Sequence, residues 1–169
     1  MNNNDLLTRL RFALDLDDST MVEIFELGGQ EMSRNNVAAL LERTEDNTEV
    51  YGEENKYALE CTDEMLERFL NGFITFKRGP KDGPAPKLEL NYGNANNLFL
   101  KKVKIALTLT SDEIIDLLAK AGATISNGEL SAVLRKEGHR NYKPCGDRYI
   151  RYFLRGLTME NRGDLATEE

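Results

Sequence analysis

Two cysteines and a single histidine are the side chains of this sequence best suited to nucleophilic chemistry. Cys61-Thr62-Asp63 and Cys145-Gly146-Asp147 place a thiol at the expected start of a helix. There a thiol's pKa can fall and make it reactive. The same arrangement also describes an ordinary helix cap with a small buried cysteine beside it. Because the arrangement occurs twice, the structural reading is favoured, since one active site rarely needs two copies. His139 precedes Cys145 in a loop-like stretch and reads as a solvated histidine. It lacks the cysteine spacing of a zinc site, and no partner in the sequence would orient it as a base. The phosphate-cradling, dinucleotide and nucleophile-elbow glycine motifs are all absent. The stretch 114–134 has the outline of an EF-hand helix pair but not its alternating acidic ligands. The expectation is therefore no catalytic residue, no cofactor and no metal.

A set of cations is the better candidate for function. Arg135, Lys136, Arg140, Lys143, Arg148, Arg151 and Arg155 cluster near the C-terminus, with Tyr142, Tyr149 and Tyr152 interleaved. Arg148, Arg151 and Arg155 share one helix face, the placement that phosphate contacts require. Tyrosines beside arginines can stack exposed bases. The competing reading has these arginines paired with acidic side chains elsewhere in the chain. Two helices joined around Gly29 and around Gly122 also resemble a helix-turn-helix, but the connection is longer than that motif's tight turn.

The elements that must position these residues occur twice. Residues 3–43 align on 96–136 at a constant offset, matching Asn3-Asn4 with Asn96-Asn97, Gly29 with Gly122 and Ser33 with Ser126. A second, shorter offset then matches Cys61, Asp63, Phe69, Gly72 and Gly79 with Cys145, Asp147, Phe153, Gly156 and Gly163. Such self-similarity is read before any fold is argued. Each copy shows apolar residues at helical spacing in four segments. Thr110 with Glu113 and Ser126 with Glu129 have the form of capping boxes, and glycine punctuates the segment ends. Three of the four prolines lie in 79–94, which reads as a surface linker. Alternating strand patterns are almost absent, Lys87-Leu88-Glu89-Leu90 being the one candidate. Gly72 and Gly156 lie inside the fourth helix of each copy, where glycine costs about 1 kcal/mol against alanine. They point to close helix–helix approach and, with Cys61 and Cys145, are candidates for packing between the copies.

A chain of 169 residues with 40% hydrophobic content can build a core. One copy alone would be marginal, which favours packing of the copies on each other or dimerisation. Residues 1–93 are acidic, residues 94–163 are basic, and the tail 164–169 is acidic again. This asymmetry suits either an anionic partner or mutual attraction of the halves. No apolar run approaches membrane-spanning length, and the start lacks a signal-peptide pattern. With two cysteines, a reduced cytoplasmic setting is the expectation.

The segments Asn3 to Leu14, Phe69 to Gly79 (Phe-Leu-Asn-Gly-Phe-Ile to Lys-Arg-Gly) and Cys145 to Leu157 resemble the bacterial YehS-like proteins. That family is a duplicated domain of unknown function, and the resemblance spans nearly the whole chain. It implies fold and compartment and carries no activity. The 44–58 segment of the first copy is long for an internal connection and reads as peripheral.

The expected architecture is all-α, with two homologous four-helix repeats packed with pseudo-two-fold symmetry. The first repeat covers 1–78 and the second 95–163. The function expected first is a non-enzymatic helical interaction or regulatory module that engages a protein partner or itself. The alternative is nucleic-acid binding through the basic face of the second repeat.

Overall fold

The computed structural model describes the backbone of residues 1–50 and 53–163, and the side chains outside 45–55. The acidic tail 164–169 lies outside the described residues. Eight helices are present among them: α1 (Asn3–Leu14), α2 (Asp18–Leu27), α3 (Arg34–Leu41), α4 (Asp63–Arg78), α5 (Ala95–Leu107), α6 (Ser111–Lys120), α7 (Asn127–Leu134) and α8 (Asp147–Arg162). Local chemistry explains where they begin. Asn2, Asp17, Ser33, Thr62, Thr110 and Ser126 each accept a hydrogen bond from a backbone N–H in the first turn of the following helix. Thr110 and Glu113 form the full capping box, whereas Ser126 supplies only its own half. α1 and α5 both stop at a residue forced into the left-handed region, Asp15 at φ 53° and Thr108 at φ 55°.

The fold is all-α in its packing, with one small departure. The insertion of the first repeat folds into an antiparallel hairpin of β1 (Arg43–Val50) and β2 (Glu53–Tyr57), its register irregular between Arg43 and Thr48. The sequence offered strand pattern only at 87–90, and no strand forms there. The reason is that Leu90 is pinned to α4 by hydrogen bonds to a side chain instead of pairing with a neighbouring backbone.

The two repeats interleave. α1 packs chiefly on α8, and α5 chiefly on α4, while the contacts of α1 with α4 and of α5 with α8 inside each repeat are slight. Each first helix thus takes its fourth-helix partner from the other repeat. The second and third helices close over the outside of their own repeat. One continuous core results, in which Leu6, Phe25, Phe69, Phe73, Phe99 and Phe153 are fully buried.

The helix-interior glycines correct one expectation. A Cβ on Gly72 would lie 1.9 Å from the Ile24 carbonyl oxygen, and one on Gly156 would lie 2.0 Å from that of Leu117. Both glycines therefore permit close crossing within a repeat, of α4 with α2 and of α8 with α6. They do not lie between the repeats, because the facing helix in each case is the second helix of the same copy.

Residues 79–87 of the connection are exposed, as a surface linker requires. Its second half is buried at two positions only. Leu90 and Asn94 are buried, and the N–H groups of Glu89 and Leu90 donate to Glu67 Oε1 at 2.7 and 2.8 Å. Glu67 is 1% exposed, and its other oxygen lies 3.4 Å from Lys102 Nζ of α5. A buried carboxylate on α4 therefore ties both the linker and the second repeat to the first.

Candidate functional site

The duplicated asparagines explain why the cysteines recur. Asn4 donates to the carbonyls of Leu40 and Leu59 and accepts from Cys61 N, while Asn97 does the same with Val133, Lys143 and Cys145 N. Asn3 and Asn96 each donate to the carbonyl of the local cysteine and to the carboxylate two residues later, Asp63 or Asp147. The sequence repeated these asparagines, but their role emerges only once the loop before the fourth helix is seen folded onto them. The main-chain N–H of each cysteine is consumed in this network.

Cys61 and Cys145 both line one cavity of about 290 Å³ where the repeats meet. Each is nearly inaccessible, at 2% and 6% exposure. Burial pushes both thiols up, with Asp63 and Asp147 adding to the effect, and Cys145 reaches about 12. Desolvation of the anion thus outweighs the helix N-terminus, so both sulfurs remain protonated thiols near neutral pH. Asp147 behaves in the opposite way. Burial would raise it, but hydrogen bonds from the Met1 ammonium and Asn96 outweigh burial and hold it below the usual range. His139 is exposed and accepts a hydrogen bond from Asn141 N through Nδ1. Among the described residues, no three His, Cys, Asp or Glu side chains gather closely enough to hold a metal ion.

The cations are arranged differently. Arg135, Lys136, Arg140, Lys143, Arg148, Arg151 and Arg155 are all exposed. None lies within ion-pair distance of a carboxylate among the described residues. Arg151 acts on Asp147 only through its charge. Arg148 instead reaches its own helix neighbour, with its guanidinium 5.6 Å from the Tyr152 ring centre and Nη2 3.4 Å from the Tyr152 hydroxyl. Arg135 donates to the Asn141 carbonyl. Other cations do link the acidic and basic halves. Lys102 meets Glu67, and Arg162 meets Asp15 at 3.7 Å while stacking 4.4 Å from the Phe12 ring. Attraction between the halves thus uses Lys102 and Arg162 and leaves the seven candidate residues out.

The pseudo-symmetry makes this contrast specific. The α4–α5 seam carries Glu67, Asn71 and Lys102, and Lys102 donates to Asn71 and forms an ion pair with Glu67. The equivalent positions on the α8–α1 seam are Arg151, Arg155 and Arg9. Where one seam pairs a buried carboxylate with a lysine, the equivalent positions of the other are all arginine. Arg9 was not singled out by the sequence. The signal lay in comparing the copies where they differ, not where they agree.

The fold defines a duplicated helical protein. The chain belongs to the family described as "Protein of unknown function (DUF1456)", whose model matches residues 3–79 and again 96–163. It is 37% identical over 157 residues to the "Uncharacterized protein YehS" of Escherichia coli (strain K12), covering 93% of this chain and 94% of that protein. No solved structure matches. No helix among the described residues is long and apolar enough to cross a membrane.

Proposed function

We propose that this is a non-enzymatic binding protein whose second repeat contacts nucleic acid through phosphate groups. The observation that carries the reading is that all seven cations are exposed and that, among the described residues, none of them lies within ion-pair distance of a carboxylate. A protein-partner or self-association role would have been favoured by the same arginines lying against the acidic first repeat, at Asp17, Asp18 or Glu23. Asp17 and Glu23 are instead exposed, and Asp18 pairs with Arg11 of its own repeat at 3.8 Å. Unpaired surface cations release counterions when they meet a phosphate backbone, and that release drives sequence-independent binding. Tyr152 beside Arg148 adds a stacking surface for an unpaired base. The buried, protonated thiols support the non-enzymatic part of the reading.

The test is binding to mixed DNA and RNA oligonucleotides across a salt series, for the wild type and for Arg148→Glu/Arg151→Glu/Arg155→Glu. The wild type is expected to lose affinity steeply with salt. Removing three phosphate contacts should flatten the log–log slope by about 2 to 3. Absence of binding at low salt would reject the reading.

A further inference from the structure

We infer that the seam between α8 and α1 is a docking site for an extended acidic segment, and that its occupant is the chain's own residues 164–169. Docked there, the segment guards Arg151 and Arg155 against phosphate. The guarding rests on the nucleic-acid reading above, whereas the docking does not.

The other seam supplies the precedent, because the two are built alike where the chain leaves them. Arg78 of α4 donates to the Ile105 carbonyl of α5 at 3.3 Å, and Arg162 of α8 donates to the Phe12 carbonyl of α1 at 2.9 Å. Arg78 and Arg162, and Phe12 and Ile105, are equivalent positions of the two copies. α4 and α8 then end at equivalent glycines. Gly79 has φ 84° and donates to the Thr75 carbonyl, and Gly163 has φ 56° and donates to the Met159 carbonyl. Glycine adopts a positive φ without a Cβ clash and turns the chain off the helix. After Gly79 the chain comes back along α4 instead of leaving it. By Glu89 and Leu90 it has returned to Glu67, in the first half of that helix, whose carboxylate accepts both N–H groups.

On the α8–α1 seam Arg151 stands at the position of Glu67 and Arg155 at that of Asn71, and both are exposed. The residues after Gly163 carry the matching sign, with Asp164, Glu168 and Glu169 and no cation among them. Their reach is sufficient. Arg155 and Arg151 stand about 12 and 18 Å along α8 from Gly163, at about 1.5 Å per residue. The extended chain from Gly163 to Glu168 spans at most about 18 Å. Glu168 and Glu169 can therefore meet both arginines, and carboxylate–guanidinium pairing holds them there. The other surface beside this exit is the groove lined by Leu14, Leu107 and Leu157. Its rim carries Glu113, Asp116 and Glu160 against Lys120 alone, and Lys120 already pairs with Glu160. An acidic segment is repelled there.

A nitroxide carried on Thr167→Cys reports the docking in the full chain, because Cys61 and Cys145 are buried and stay unlabelled. Paramagnetic broadening is expected at the amides of Arg151, Arg155 and Arg9. It should fade at about 1 M salt, where charges are screened beyond about 3 Å, and in Arg151→Gln/Arg155→Gln. Broadening centred on Leu107 and Leu109 instead, or confined to the last turn of α8, would overturn the docking. So would broadening that appears only when spin-labelled chains are mixed with isotope-labelled, unmodified ones, because the segment would then lie on a second copy. The guarding is read separately, as oligonucleotide affinity at low salt. Glu168→Gln/Glu169→Gln should tighten binding by at least about threefold, as uncovering a face that is mostly covered requires. Binding that is present but no tighter in this variant would overturn the guarding. Absence of binding by both proteins would reject the nucleic-acid reading and the guarding with it, with the docking still decided by the broadening.

Discussion

Replacing Glu67 tests whether one buried carboxylate fastens the repeats. Its Oε1 accepts from Glu89 N at 2.7 Å and Leu90 N at 2.8 Å, and its Oε2 makes no hydrogen bond among the described residues but lies 3.4 Å from Lys102 Nζ as an ion pair. Lys102 is only 12% exposed and is otherwise held by Asn71. Glu67→Ala strands the ammonium and both N–H groups at once. Breaking a buried pair from one side costs roughly 3–5 kcal/mol. Each orphaned N–H would add about 1–3 kcal/mol if nothing relaxed. The linker can move to reach water, so the sum is not additive, and about 4 kcal/mol is expected. With a urea m-value near 2 kcal/mol/M, the unfolding midpoint should fall by about 2 M. Glu67→Gln keeps an acceptor for the linker and loses only the charge, so about half that shift is expected. Proteolysis within residues 80–90 should accelerate in the alanine variant before global unfolding. A cost below about 1 kcal/mol for Glu67→Ala, or identical costs for Ala and Gln, would refute this account of the Glu67 carboxylate.

Gly156→Ala should destabilise by more than about 3 kcal/mol in calorimetry, although alanine improves helix propensity by about 1 kcal/mol, because its methyl would collide with the Leu117 carbonyl at a backbone crossing. Native Cys61 and Cys145 should react with a thiol reagent only as fast as the protein unfolds; rapid reaction at pH 8 would contradict their burial. Their raised pKa values mean that the folded state holds protons the unfolded state loses, so their stabilising contribution should be present below the ordinary thiol value of 9.0 and decline as pH rises beyond it, as alkaline denaturant titrations would measure. Asp17 and Glu113 are held low by hydrogen bonds from Thr20 and Thr110, and Asp147 is held low as described. Their contribution should be present above their ordinary values of 3.8, 4.5 and 3.8 and disappear as pH falls further, visible as a melting temperature that drops on acidification.

The repeat was legible because two offsets align Asn3-Asn4, Cys61 and Gly72 on their counterparts without ambiguity. Helix starts were legible where a hydroxyl or carboxylate cap precedes the apolar periodicity, as at Thr110. The interleaving was not, because α1 buries the same apolar stripe whether it lies on α4 or on α8. The hairpin at 43–57 escaped for a different reason. Its strands are mostly charged and polar, without the alternation that marks a half-buried strand. Clustering of Arg148, Arg151 and Arg155 on α8 was visible from their spacing, but which carboxylates they would meet was not, since pairing depends on where the acidic repeat lies.

The exchange of first helices has a consequence for descent. A single copy would leave its first helix without a seat and its fourth helix without a cover, so the ancestral unit is best understood as two chains embracing each other. Joining them by residues 79–94 made the embrace permanent and removed its dependence on concentration. It also released the two seams from having to be identical. In a symmetric pair of chains, an arginine at the position of Glu67 would appear at both seams and leave neither neutralised. After fusion one seam could keep its buried carboxylate and serve as a clasp, while the other was free to accumulate charge.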